Sequence, residues 1–281
     1  MSTVYLNGRY LPKDGATISV EDRGFLLSDG IYEVTPAYRG RLFRVEHHMR
    51  RLQQGLDTLR IEFDPAAMPE MHTRLIAENA LDTEEVAIVY LQITRGVAPR
   101  THHFPPEGTP PTVYAFAQAF HRPEMARWEQ GYEAITVPDE RWARVDIKSI
   151  GLLPNVLAQQ AAVEAGVADA LLVRDDVALE GSHNNLFAVL DGVVTTHPAT
   201  QRILHGIARE YVIELAGAQG LPVEERPILL EEIRGAAEIF FTGTTTEIRP
   251  TVRLDGEPVG EGKVGPVAKA LYEAFKEGTR A

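Results

Sequence analysis

Short runs of β-branched and aromatic residues recur along this chain, and stretches with the spacing of an amphipathic helix separate them. Val86–Thr94 (VAIVYLQIT) and Thr112–Ala117 have the composition of β-strands. Apolar residues spaced three and four apart predict a helix that begins near Glu46, with one buried face formed by Met49, Leu52, Leu56 and Leu59. This alternation predicts a mixed α/β (α+β) fold in which sheets pack against helices.

The length of the chain is sufficient for two domains. Its 281 residues are 44% hydrophobic and 24% charged, a normal globular mixture. The segment 118–128 (QAFHRPEMARW) has the character of a linker. We therefore expect an N-terminal α/β domain over residues 1–120 and a C-terminal α/β domain over residues 121–281 that carries Lys148.

Turn and periodicity signals define the remaining elements. Asn7-Gly8 predicts the turn of a hairpin in VYLNGRYLP, and residues 95–111 are rich enough in Pro and Gly to form a long loop. Strands are expected at Tyr132–Val137, Arg144–Ile150, residues 168–176, 178–181 and 185–197, and Glu238–Gly243. Helices are expected at Asn155–Ala165, Ile207–Gly217, Leu229–Gly235 and Pro266–Lys276.

Charge and residue usage exclude several classes of function. The formal net charge is −12 without any run of Lys or Arg, so nucleic acid is not an expected partner. Without cysteine, the chain has no disulfide, thiolate nucleophile or cysteine-based metal site. No HExxH motif occurs, and we expect no metal site. The sequence has neither a signal-peptide pattern nor a membrane-spanning apolar run, which predicts a soluble, cytoplasmic protein.

One lysine stands apart from the other four. Lys13 and Lys263 lie in turn sequences, and Lys269 and Lys276 lie on a predicted terminal helix that needs a solvated face. Lys148 lies in V-D-I-K-S-I, among β-branched residues, where it is either an exposed strand residue or lines a pocket. A lysine amine removed from water forms a Schiff base with a carbonyl, so Lys148 is the candidate nucleophile.

A carboxylate and two turns are candidates for binding a ring and an anion. Glu180, at the end of a predicted strand, is either a turn residue or the partner of a ring nitrogen. Gly206 precedes a helical pattern, so the amides of Ile207 and Ala208 point at whatever lies at the helix start. The turn T-G-T-T-T-E offers backbone amides and the hydroxyls of its threonines.

Two arginines and one glycine-rich string leave choices open. Arg50 and Arg51 are adjacent on the amphipathic helix, and pattern alone does not decide which of them binds an anion. G-E-G-K-V-G at residues 260–265 matches a dinucleotide fingerprint as a string. Too little chain follows it for a second βα unit, so it is interpreted as the loop before the last helix, with Pro266 at its first position.

Seven motifs in order resemble the D-amino acid aminotransferases, which are fold-type IV pyridoxal-phosphate enzymes. These motifs are D-G-I-Y-E-V, H-M-R-R-L, T-R-G-V-A-P-R-T-H, D-I-K-S-I-G-L-L, A-L-E-G-S-H-N-N, R-I-L-H-G-I-A-R and F-F-T-G-T-T-T-E-I. The resemblance covers nearly the whole chain. It implies two mixed α/β domains with the cofactor between them, and a homodimer.

The resemblance also implies a role for each matching residue. Lys148 would form the Schiff base with pyridoxal 5′-phosphate, and Glu180 would contact its pyridine nitrogen. Its phosphate would be bound by one arginine, two amides and a hydroxyl, from Arg51, Ile207, Ala208 and Thr244. Ala208 replaces a threonine that the family often has, which keeps the amide and removes a hydroxyl. Arg141 would lie near the phenolic oxygen of the cofactor.

The implied reaction is a ping-pong transamination between a D-amino acid, such as D-alanine or D-glutamate, and a 2-oxo acid, such as 2-oxoglutarate. Tyr32, Arg100 and His102 match the residues with which the family binds the substrate carboxylate. Alternatives of the same fold are a branched-chain L-amino acid aminotransferase, an (R)-amine transaminase and aminodeoxychorismate lyase. A relative that binds the cofactor without catalysis would need no Lys148 or Glu180, and both are present.

Overall fold

The computed structural model describes residues 2–280, which form two compact units. Unit 1 comprises residues 2–122 together with Ile147–Gly151, and unit 2 comprises Pro123–Asp146 together with residues 152–280. Lys148 therefore groups with unit 1, which differs from its expected assignment to the C-terminal domain. Among the described residues, no helix combines the length and the apolar character needed to cross a membrane.

Unit 1 is built on one antiparallel sheet with the strand order β2-β1-β6-β5-β3-β4. In chain order its elements are β1 (Thr3–Leu6), β2 (Arg9–Pro12), α1 (Arg23–Leu27), β3 (Gly30–Tyr38), β4 (Arg41–Leu42), α2 (Val45–Leu59), α3 (Met68–Glu78), β5 (Val86–Thr94) and β6 (Thr112–Ala119). The turn at Asn7 and Gly8 has φ of 46° and 85°, as a two-residue hairpin requires. Helix α2 buries its apolar face in a core that includes Leu52, Leu56 and Leu91.

Unit 2 is built on a larger mixed sheet with the path β12-β11-β10-β14-β15-β7-β8-β9-β13. Its elements are α4 (Met125–Glu129), β7 (Tyr132–Pro138), α5 (Leu153–Glu164), β8 (Asp169–Arg174), β9 (Val177–Gly181), β10 (Asn185–Leu190), β11 (Val193–Thr196), α6 (Ile207–Ala218), β12 (Val223–Glu225), β13 (Ile228–Leu229), α7 (Leu230–Arg234), β14 (Glu238–Gly243), β15 (Glu247–Leu254), β16 (Glu257–Pro258) and α8 (Pro266–Arg280). Strand β9 also pairs with β10 where Glu180 meets Asn185, so the sheet closes on itself at this point.

Most of the expected elements are confirmed, and one is wrong. The segment Arg144–Ile150 was expected to be a strand, but it contributes only an isolated bridge between Ser149 and Ile31. The expected linker is shorter than 118–128, because β6 extends to Ala119 and α4 begins at Met125. The string at residues 260–265 is a loop, and α8 begins at Pro266 as expected. Strands β3 and β15 and helix α3 were not anticipated.

Candidate active site

Lys148 lies beside strand β3 of unit 1. The backbone N–H of Tyr32 donates to the carbonyl of Lys148 at 3.0 Å, and Ile147 packs into the core of the unit. The Lys148 Nζ atom is 4.1 Å from the centroid of the Tyr32 ring. Both side chains are half-buried. The amine therefore lies against an aromatic face, where it can be delivered to a carbonyl carbon.

The residue after Tyr32 carries a buried acid that the sequence analysis missed. Glu33 accepts hydrogen bonds from Nε and Nη2 of Arg51 at 2.7 and 2.8 Å, and its Oε2 lies 2.9 Å from Nδ1 of His48. Burial raises the pKa of Glu33, but the charge of Arg51 and the hydrogen bonds of Arg51 and His48 outweigh burial. The pKa of the Glu33 carboxyl therefore lies well below its usual range.

This cluster distinguishes the two adjacent arginines of α2. The Arg51 side chain is 10% exposed and is oriented by the two oxygens of Glu33. Arg50 is exposed, and its Nη2 contacts Nδ1 of His47 at 2.9 Å. Burial, reinforced by the charges of Arg51 and Lys148, lowers the pKa of His48 despite its contact with Glu33. The inner position thus belongs to Arg51, the residue favoured by the resemblance.

The expected carboxylate-binding residues of unit 1 occupy two different environments. Tyr32 stacks on Tyr90, with ring centroids 5.6 Å apart. Arg100 and His102 lie in the loop between β5 and β6 and are exposed. Within residues 2–280, neither of these two side chains makes a hydrogen bond or an ion pair that joins it to Tyr32. The structure therefore brings Tyr32 together with Lys148, and it leaves Arg100 and His102 facing solvent.

Glu180 is the centre of a buried polar cluster in unit 2. Its carboxylate accepts hydrogen bonds from Nη1 of Arg141, from Nδ2 of Asn185 at 2.7 Å and from the backbone N–H of Leu204 at 3.1 Å. Asp139 binds the same arginine, whose Nε lies 2.8 Å from Oδ1 of the acid. Arg141 was expected near a phenolic oxygen, and here it joins the two acids.

The balance of charges in this cluster raises the pKa of Glu180. Burial is the main cause, the charge and hydrogen bond of Arg141 act against it, and the neighbouring charge of Asp139 adds to the rise. The two acids in turn raise the pKa of Arg141, although burial opposes them. A carboxyl in this state gains from any additional positive charge placed beside it. It is therefore suited to a protonated ring nitrogen, and it is not a simple turn residue.

The start of α6 in unit 2 has the properties of an anion site. Its N-cap is Gly206, which has no side chain to accept hydrogen bonds from the first-turn amides of Ile207 and Ala208. A Cβ atom at Gly206 would lie 2.0 Å from Oδ1 of Asn185, so any other residue there would require the Asn185 side chain to move. Thr244 is half-buried in the turn between β14 and β15. These donors fit a phosphate group, as Glu180 fits a pyridine nitrogen and Lys148 fits an aldehyde.

Comparisons with known proteins find relatives over nearly the whole length of this chain. A family model described as class IV amino-transferase matches residues 30–254. A D-alanine aminotransferase of Staphylococcus aureus is 36% identical over 279 residues, which are 99% of this chain and 98% of the relative. The D-alanine aminotransferase of Staphylococcus haemolyticus is 37% identical with the same coverage. That of Bacillus licheniformis is 36% identical, covering 97% of this chain and 95% of the relative.

Solved structures give the same fold. A branched-chain amino acid aminotransferase of Escherichia coli superposes with a TM-score of 0.90 at 28% identity, covering 98% of this chain and 93% of the other. A branched-chain aminotransferase of Thermoproteus uzoniensis gives a TM-score of 0.86 at 26% identity, covering 98% and 94%. With a family model that spans most of the chain and full-length relatives above 30% identity, this protein belongs to the class IV aminotransferase family.

Proposed function

We propose that this protein is a pyridoxal 5′-phosphate-dependent D-amino acid aminotransferase. It would transfer the amino group of a D-amino acid, such as D-alanine or D-glutamate, to a 2-oxo acid such as 2-oxoglutarate. The observation that carries the proposal is the half-buried Lys148 amine, 4.1 Å from the centre of the Tyr32 ring. The full-length relatives named D-alanine aminotransferase support the D-amino acid as substrate.

Lys148 has two tasks in this proposal. Its amine would hold the cofactor covalently and, when free, would carry a proton to and from the substrate α-carbon. When bound, the cofactor supplies a ring that withdraws electrons from the α-carbon. The Tyr32 ring limits the directions in which the amine can move, because the two groups are in contact.

Glu180 and the anion-binding donors would hold the two ends of the cofactor. Glu180 would accept a hydrogen bond from the ring nitrogen of the cofactor, and a positive charge there would offset the burial that raises the pKa of this acid. The phosphate would be bound by the guanidinium of Arg51, the amides of Ile207 and Ala208, and the hydroxyl of Thr244. Arg141 holds Glu180 through its Nη1 and is retained by Asp139.

Tyr32, Arg100 and His102 would bind the substrate carboxylate. A guanidinium presents a planar pair of N–H groups that matches the two oxygens of a carboxylate. The hydroxyl of Tyr32 and the imidazole of His102 supply further donors. The side of the cofactor on which the carboxylate is held decides which enantiomer presents its α-hydrogen to Lys148, so these residues set stereochemistry as well as affinity.

A branched-chain L-amino acid aminotransferase is the second candidate. It is favoured by the E. coli structure, whose TM-score of 0.90 shows the same backbone arrangement at 28% identity. Fold similarity does not determine the substrate, because one fold supports several substrate specificities. The sequence relatives at 36–37% identity favour the D-amino acid enzyme.

We further propose a homodimer that acts in the cytoplasm. Helix α5 exposes Leu153, Val156, Leu157 and Val163, which are 68%, 59%, 57% and 59% exposed. Apolar residues at helical spacing on one exposed face are typical of an interaction surface. Sedimentation velocity would test this, with Leu157→Arg expected to shift the protein towards a monomer and Gln130→Arg, at an exposed position outside α5, as the control. A monomeric wild type would contradict the dimer.

Two measurements test the proposed function. A panel of D- and L-amino acids with 2-oxoglutarate should show preferential turnover of D-alanine or D-glutamate, and preferential turnover of L-leucine or L-valine would establish the second candidate. Borohydride reduction followed by peptide mapping should place the cofactor on Lys148. Lys263, an exposed lysine paired with Glu261 at 2.7 Å, serves as the internal control. A label on Lys263 would exclude the assignment.

A further inference from the structure

The loop that carries Arg100 and His102 is fixed at its base. Gly96 has φ of +90°, and a Cβ atom there would lie 1.9 Å from the carbonyl oxygen of Pro110, so the two ends of the loop meet closely. The backbone N–H of Arg23 donates to the carbonyl of Gly96 at 2.9 Å, and Asp22 forms an antiparallel bridge with Val97. The first residues of the loop are therefore paired with the segment that starts α1.

A buried arginine also reaches the middle of the substrate-binding motif. Arg23 is 2% exposed, and its Nη1 donates to the backbone carbonyl of Thr101 at 2.9 Å. Thr101 is the residue between Arg100 and His102. The Thr101 carbonyl is thus bound by a buried residue, while the side chains of Arg100 and His102 on either side of it remain exposed. The contact orders the backbone at the point from which both side chains project.

Asp29 fixes the orientation of Arg23 and of a second buried arginine. Its Oδ2 accepts from Nε of Arg23 at 2.8 Å and from Nε of Arg95 at 2.7 Å. Burial raises the pKa of Asp29, but the hydrogen bonds and charges of the two arginines outweigh burial and lower it. The acid therefore stays ionised between two guanidinium groups, each of which keeps further N–H groups for other partners.

The second arginine supports the far side of the loop. Arg95 donates to the backbone carbonyls of Arg60 and Leu59 at 3.1 and 2.8 Å. Its guanidinium lies 3.7 Å from the centre of the Phe104 ring, and that of Arg60 lies 4.7 Å from the same ring. One loop residue on each side of His102 is thereby in contact with this cluster.

We propose that Arg23 and Asp29 are positioning residues for the substrate carboxylate, because they hold the Thr101 carbonyl and so preorder Arg100 and His102 for binding. The inference rests on the proposed function of those two side chains. Burying a guanidinium group without partners is costly. Arg23 and Arg95 are each paired with Asp29 and with a backbone carbonyl, so their orientations are fixed. A loop that is already ordered loses less conformational entropy when the substrate binds.

The test compares Arg23→Met and Arg23→Lys with Arg50→Ala as a surface control. The KM values for D-alanine and 2-oxoglutarate should rise about tenfold in both Arg23 variants, as expected when about one residue's backbone order must be regained on binding. The cofactor absorbance should be unchanged. The kcat/KM for (R)-1-phenylethylamine, which has no carboxylate, should also be unchanged. Hydrogen exchange of residues 99–104 should become faster.

Two further variants separate this inference from the proposed function. If Arg100→Ala leaves both KM values unchanged, the proposed carboxylate site is wrong. If Arg100→Ala raises KM but the Arg23 variants do not, only the positioning role is wrong. In the background of Arg100→Ala with His102→Ala, Arg23→Met should have no further effect on KM. If the Arg23 variants lose as much kcat/KM with the carboxylate-free amine as with D-alanine, Arg23 has a general structural role and the inference is overturned. If Arg23→Met fails to fold, Arg23→Lys and Asp29→Asn decide by the same measurements.

Discussion

Each unit buries a glutamate against an arginine, and the pKa values of the two glutamates shift in opposite directions. In unit 1, Glu33 is shared by Arg51 and His48, and its pKa is held well below the usual range. In unit 2, Glu180 shares Arg141 with a second acid, Asp139, and burial raises its pKa. A fully compensated acid serves to orient its arginine. The charge of Glu180 is compensated less completely, which agrees with the role proposed for it beside a cationic ring nitrogen.

The largest expected effect is a loss of stability when the charge of Glu33 is removed. Glu33→Gln should lower the free energy of unfolding by about 3–5 kcal/mol, because it leaves Arg51 buried without its charge partner. Chemical denaturation of the purified variant measures this. Glu78→Gln, which removes the partner of the exposed Arg74, is the control and should leave stability unchanged within error. A Glu33 variant as stable as the wild type would show that the unit 1 cluster has no orienting role.

The next effect falls on turnover rather than stability. Glu180→Gln should reduce kcat about a hundredfold or more, since losing an electrostatic contact of this kind costs roughly 3–4 kcal/mol at the transition state. Its unfolding free energy should change less than that of Glu33→Gln, because ionised Glu180 is already disfavoured by burial. Glu140→Gln, an exposed acid of the same unit, is the control. If Glu180→Gln turns over at the wild-type rate, Glu180 has a structural role only.

Lowering the pH should reduce the stability of the protein because of His72, a buried residue of α3. Both ring nitrogens of His72 are buried without a partner among the described residues, and burial with the charge of His48 lowers its pKa to about 4. Between about pH 6.5 and pH 4 the unfolded chain therefore takes up a proton that the folded protein does not, so stability falls as pH falls. From pH 7 to pH 4.5 this loss should be about 2–3 kcal/mol.

The variant His72→Leu isolates this contribution. Denaturant unfolding at pH 7 and pH 4.5 should show a smaller difference between the two pH values than in the wild type. His121→Leu is the control, since His121 is exposed in the same unit. An unchanged pH dependence in His72→Leu would assign the acid sensitivity to other groups.

The smallest effect sharpens the choice between the two arginines of α2. Arg51→Ala should raise the dissociation constant of pyridoxal 5′-phosphate about tenfold or more, the value of one charge-assisted hydrogen bond. Arg50→Ala should leave it unchanged, because Arg50 is exposed and paired with His47. Titration of the cofactor absorbance measures both constants. The opposite result would move the phosphate site by one residue along the helix.

Periodicity and turn chemistry were sufficient for the local elements. The Asn7-Gly8 hairpin and the apolar face of α2 depend on neighbours in sequence, and both are present as predicted. The segment around Lys148 was misjudged because it forms one isolated bridge to β3, more than a hundred residues earlier, and no local pattern reports such a partner.

The partners of the buried polar residues were harder to predict from the sequence. Glu33 shares the inner face of β3 with Ile31 and Thr35, so a charged residue on a buried strand face could have indicated a paired acid. Asp139 gave no comparable signal, because its effect on Glu180 depends on a shared arginine. The resemblance identified Glu180 and Arg51, whereas their partners became visible only in three dimensions.

The fit between Gly206 and Asn185 has a consequence for how this sequence can vary. Asn185 donates to Glu180 at 2.7 Å and to the carbonyl of Leu204 at 2.8 Å, and its Oδ1 occupies the space of a Cβ at Gly206. An alanine at position 206 would displace the amide and, with it, the acid. The two positions are therefore coupled: a side chain at residue 206 would disturb the hydrogen bond from Asn185 to Glu180, which lies opposite Asn185 in the neighbouring strand.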